Sequence, residues 1–106
     1  MPKYLIQANY VGEGIKGLLK EGGSSRRAAV EKLVKSLGGT VEAYYYALGD
    51  TDLYVIVDVP DHASVTALVL TVTSTGTVTI KTTVLLTPEE MDEAAKKHPS
   101  YRPPGQ

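Results

Sequence analysis

The chain has 106 residues, 11 basic and 12 acidic, with a formal net charge of -1. That length makes one domain around one core, and the even charge balance lacks the basic stripe of a nucleic-acid surface. It has no Cys, which excludes disulfides, thiolate nucleophiles and cysteine metal sites.

The opening MPKYLIQANY lacks the apolar stretch of a signal peptide, and no apolar run is long enough for a membrane span. The chain is therefore expected in the cytoplasm, with neither membrane nor nucleic acid as a partner. Seven Tyr and no Phe or Trp mean that every large aromatic ring carries a hydroxyl. Any tyrosine that is buried must find that hydroxyl a partner.

In chain order, Tyr4, Ile6, Ala8 and Tyr10 alternate within residues 3–10 and predict a first strand. Ile15, Leu18 and Leu19 follow with helical spacing, but the glycines between Gly12 and Gly17 weaken it, so a loop with a short helical turn is expected. Gly22 and Gly23 allow a bend. Ser24 or Ser25 is then placed to cap a helix whose apolar stripe is Val30, Leu33, Val34 and Leu37. Gly38 suits the left-handed stop at its end.

Residues 40–48 and 53–59 are two β-rich runs joined by the turn chemistry of Gly49-Asp50-Thr51-Asp52, which predicts an antiparallel hairpin. Pro60 ends the second run. Asp61 can cap a helix with Val65, Leu68, Val69 and Val72 on one face, although that stretch also has strand character. Gly76 ends it, and residues 77–86 form the last strand. Thr87-Pro88-Glu89-Glu90 is a capping box for a short helix to about Lys97. The Pro-rich tail, 99–106, should be extended. The order strand, helix, strand, strand, helix, strand is the βαββαβ ferredoxin-like pattern of the α+β class, with an extra C-terminal helix.

Helices cover one face of such a sheet. A face meeting water should be polar at every second residue, yet Tyr54 and Ile56 oppose Leu53, Val55 and Val57, and aromatics fall on both faces of the second strand. The open face is thus expected to be covered by a second copy of the chain, giving a sheet-to-sheet homo-oligomer.

Candidate chemistry is sparse. His62 and His98 have no paired ligand spacing, so no metal site is expected. His62 lies beside the Asp61 cap as a surface residue or a ligand contact. Asp50 and Asp52 are expected to bond turn backbone, with a place at a pocket mouth as the functional reading. Asp58, if buried, needs Lys3 or Lys81. Tyr44, Tyr45 and Tyr46 must divide between the two faces. Packing is their first role; a pocket with tyrosine hydroxyls, Asn9 and Gln7 is their second. Arg26 and Arg27 could hold an anion at the helix start, or simply be solvated.

The stretch Tyr44-Tyr45, Gly49-Asp50-Thr51-Asp52 and LYVIVDVPDHAS resembles the GYD-domain family, in which paired aromatics precede G-x-Y-D and an apolar strand ending in Pro-Asp. Asn9-Tyr10, Gly14-Ile15, the Arg-Ala helix, the Leu-Gly-Gly before the second strand and the terminal capping box are similar to it too. Thr51 stands where the naming tyrosine is expected, with Tyr54 the nearest substitute. The resemblance implies a dimeric α/β barrel of ferredoxin-like subunits over residues 1–98, followed by the tail. It brings no particular reaction, since relatives in the wider group include cofactor-free monooxygenases, haem proteins and small-molecule binders. The expectation is an oligomeric small-molecule-binding or accessory module without a cofactor. The ligand would meet Asn9, Tyr44, Tyr46, Asp50, Asp52, Tyr54 and His62. A cofactor-independent oxygenase and a purely structural assembly protein are the alternatives, and no catalytic residue is assigned.

Overall fold

A computed structural model describes residues 1–106. The elements are β1 (Lys3–Tyr10), α1 (Gly14–Glu21), α2 (Gly23–Ser36), β2 (Thr40–Tyr46), β3 (Leu53–Asp58), α3 (His62–Thr73), β4 (Val78–Leu85) and α4 (Pro88–Ala95). The strands form one antiparallel sheet in the order β2-β3-β1-β4. This is the ferredoxin-like arrangement, with the predicted α+β class.

The core lies between the sheet and helices α2 and α3. Tyr4, Ile6 and Ala8 of β1 and Leu53, Val55 and Val57 of β3 are buried on one sheet face, against Val34, Val65 and Leu68. Strict alternation in β1 and β3 put these residues on one side, as the pattern predicted. The helical stripes pack as expected, with Val30, Leu33, Leu37 and Val72 half-buried against the core. Each such side chain removed from water contributes about 1.5–3 kcal/mol when fully buried. No helix is long and apolar enough to cross a membrane.

The helix ends follow their local chemistry. Asp61 accepts from the Ser64 amide at 2.8 Å, and Thr87 and Glu90 form the complete capping box. At the end of α2, Gly39 N donates to Val34 O and Gly38 N to Lys35 O, both at 3.0 Å, with Gly38 at φ 82°. That pair of bonds satisfies carbonyls the helix would otherwise leave open.

Three expectations need correction. Residues 14–21 form a full helix, not a loop with a turn. Gly14 lets α1 start against β4, since a Cβ there would lie 2.1 Å from Thr77 O; tertiary contact outweighs the propensity cost of glycine. The cap of α2 is Gly22, not a serine, and α2 begins at Gly23 without a side-chain cap. Gly23 is held instead by Tyr46, whose hydroxyl donates to its carbonyl at 3.0 Å. Unbroken alternation over residues 40–48 would put Val41 on one face with Ala43, Tyr45 and Ala47, but a bulge in β2 between Val41 and Ala43 resets it. Val41 therefore faces the helices with Tyr44 and Tyr46, while Ala43 and Tyr45 face the open side.

Candidate functional site

β1 ends at Tyr10, β2 at Tyr46, and α2 begins beside both. The three elements converge over a gap in the core. A cavity of about 100 Å³ lies here between the sheet and helices α2 and α3. Its walls are aliphatic, with Ala8, Val55, Ile80, Val30 and Leu68 among them, and Arg26 is the one charged residue that lines it. Tyr10 and Tyr44 complete the polar end. Nearby, Tyr46 stands edge-on to Tyr44, with ring centroids 5.5 Å apart and planes at 80°.

The hydroxyls form a short chain of donors. Tyr46 gives its proton to Gly23 O at 3.0 Å, so at the 3.4 Å contact between Tyr44 and Tyr46 the donor is Tyr44. That contact is long for two hydroxyls. Burial pushes the Tyr10 phenol up to about 12, with the adjacent Tyr46 phenol adding to the effect and Arg26 opposing it weakly. Tyr44 is raised further, again first by burial and then by its bond to Tyr46. Both phenols thus remain protonated across the neutral range. Arg26 is always charged, and its only ion pair is a long one, 3.6 Å to Glu21. The polar end of the cavity therefore offers donors and a cation, and no group able to take up a proton at neutral pH.

Of the sequence-predicted residues, Tyr44 and Tyr46 come together here. The others lie elsewhere. The Asn9 Oδ1 accepts from the Asp52 amide at 2.9 Å, and the Asp52 carboxylate accepts from the Tyr10 amide at 3.0 Å. Asp52 also receives the Ala47 amide on its carbonyl at 2.9 Å. These bonds tie the ends of β1 and β2 to the start of β3, so Asp52 and Asn9 position the strand that carries Tyr10. Asp50 is exposed in the turn. Tyr54 lies on the open face opposite Tyr45 and Gln7. Thr51 is on that side too, where its hydroxyl accepts from Gln7 at 3.5 Å. A tyrosine at 51 would thus sit away from the cavity.

His62 lies at the other end of β1, where its Nδ1 pairs with the hydroxyl of buried Tyr4. Asp58 pairs with Lys3 at 2.8 Å on the open face, and Glu42 joins at 3.3 Å. The Asp58 and Glu42 bonds hold the Lys3 ammonium above its ordinary range.

Tyr10 and Arg26 were not named as ligand-pocket contacts. The signal was present in the letters. Tyr10 continues the buried alternation of Tyr4, Ile6 and Ala8, and Arg26 lies at i-4 and i-7 from Val30 and Leu33, at the head of the apolar stripe.

No curated protein and no solved structure matches the chain. The family model described as GYD domain matches residues 4–95, a span that takes in the sheet but for Lys3, the cavity and the Asp52 junction. The chain belongs to the GYD-domain family.

Proposed function

We propose that this protein binds a small organic molecule in the cavity beneath α2 and α3, and that it does so as a homodimer packed through its open sheet faces. The observation that carries the reading is an apolar cavity of about 100 Å³ with its polar groups gathered at one end. Apolar walls with a few convergent polar groups are the usual design of a ligand site. A void also costs stability, about 24 cal/mol per Å³ of cavity left in a core, so a core kept open here favours a site over simple packing. The polar end has donors but no base to generate a carbanion from a neutral substrate, which favours binding over the oxygenase alternative for any ligand that does not arrive already ionised.

The dimer reading rests on the open face. Tyr45 is 72% exposed and Tyr54 38%, and they face each other across the β2-β3 pair beside Ile56 and Leu5. A cluster of aromatic and aliphatic residues with the Lys3-Asp58 pair toward its edge has the composition of a subunit interface. The absence of cysteine suits a cytoplasmic setting.

Native mass spectrometry of freshly purified protein tests both parts. The expected result is a dimer that carries a discrete extra mass or gains one from a small-molecule set. Val30→Phe, which fills the cavity, should abolish that uptake and leave the dimer intact. Ile56→Glu should give monomers. A monomeric wild-type protein refutes the interface, and uptake undiminished by Val30→Phe refutes the cavity.

A further inference from the structure

The size and the polar end of the cavity define the ligand more narrowly. We infer that the ligand is a one-ring or short-chain organic anion, its carboxylate or enolate held by Arg26 and the Tyr44 hydroxyl and its apolar body in the cavity. This inference rests on the ligand-binding reading above.

The apolar part sets the size. A dry cavity of roughly 150 Å³ accepts benzene, so the about 100 Å³ here holds no more than a single ring or a short aliphatic chain. Anything larger must project past the tyrosines toward solvent.

The polar part sets the charge. Donors outnumber acceptors at this end of the site. Gly23 O is taken by Tyr46. The Glu21 carboxylate stands 3.6 Å from Arg26, too far for a good charge-assisted bond. Arg26 has five N–H donors in a planar fork, and that pair leaves most of them open. Tyr44 can donate into its long 3.4 Å contact with Tyr46 or, more weakly, toward the Tyr10 hydroxyl. Raised phenol ionisation at Tyr10 and Tyr44 keeps these groups as donors rather than competing anions. What the cavity lacks is a negatively charged acceptor close enough for a full charge-assisted bond to Arg26, since Glu21 stays at 3.6 Å. A carboxylate supplies one that the planar guanidinium can meet with two bonds, and an enolate supplies one oxygen for a single bond. A neutral or cationic head would leave Arg26 with only its long pair to Glu21 and water, and would gain no charge-assisted bond of its own.

The test compares benzoate with benzyl alcohol, two probes with the same ring and different heads, by isothermal titration at fixed ionic strength. A hydrogen-bonded charge pair of this kind should make benzoate about ten- to hundredfold tighter. Arg26→Gln should remove that advantage, weakening benzoate far more than benzyl alcohol, with an unchanged urea unfolding midpoint showing that the variant is folded. Tyr44→Phe should reduce benzoate affinity by a smaller factor. Benzyl alcohol binding as tightly as benzoate overturns the inference and leaves the cavity reading standing. Equal loss of both probes in Arg26→Gln also overturns it, since Arg26 would then shape the cavity rather than read charge. If neither probe binds, the inference and the ligand-binding reading fall together.

Discussion

Tyr4 is 1% exposed, and a buried hydroxyl needs a partner. His62, on the first turn of α3, supplies it. The pair stands at the opposite end of β1 from the cavity, which makes its role structural. Tyr4→Phe should cost about 0.5–1.5 kcal/mol, the net value of one hydrogen bond, and His62→Ala about 1–3 kcal/mol, because it orphans the hydroxyl. The double variant should cost less than the sum, with the difference read from urea unfolding; strict additivity would show that the two do not interact. The tyrosines of the cavity make a separate prediction. Tyr10 ionises at about 12 in the fold, above the ordinary value of about 10. The neutral form is the one the fold favours, so this contribution to stability is complete below about pH 10 and disappears as pH rises toward the folded value. Ultraviolet titration should show a late phenolate component that Tyr10→Phe and Tyr44→Phe each reduce.

Between α2 and β2 two adjacent glycines serve different ends. Gly38 has φ 82°, a conformation that costs an L side chain about 1–2 kcal/mol. Gly39 has no such angle, but a Cβ there would lie 2.2 Å from Asp58 O and 2.7 Å from a Val59 methyl. Gly39→Ala should therefore destabilise more than Gly38→Ala, by about 2–4 kcal/mol in all, as judged by the shift in urea midpoint. Equal effects would mean that the α2-β2 corner can move away from β3. The Asp61 cap is the pH-sensitive point of α3. Hydrogen bonds from Ser64 hold its carboxyl below the usual range, so the cap is fully formed above the unfolded value of about 4 and is lost as pH falls through the folded one. Asp61→Asn should flatten the acid limb of the melting-temperature profile.

The molecule is extended for its size. Its radius of gyration is 17.1 Å and its longest dimension 58 Å, against roughly 13 Å for a compact chain near this length. The C-terminal arm is a natural source of the difference. Every residue of α4 and of the tail is exposed, and α4 is held together by its own capping box. Removal of residues 88–106 should shift folding stability by less than about 1 kcal/mol, the range of surface changes, and should leave the dimer mass intact. Loss of the dimer in that truncation would place the arm in the subunit interface.

The sequence by itself determined the strand order along the chain, the buried faces of β1 and β3, the stripes of α2 and α3, and the caps at Asp61 and Thr87. Each of these is a local pattern, set by a period of two or 3.6 residues or by a side chain bonding the backbone a few residues away. It also carried the family in the stretch around Asp52. The tertiary structure decided what depends on distant approach. The missing side chain of Gly14 let the Thr77 carbonyl approach and so let α1 start there, and the bulge beyond Val41 turned Tyr44 and Tyr46 toward the helices. The Asp52 carboxylate, apparently a turn group, proved to hold the Tyr10 amide in another strand. The cavity belongs to this second class: its polar end joins residues 10, 26 and 44, which no local pattern connects, and only the closing of α2 over the sheet brings them together.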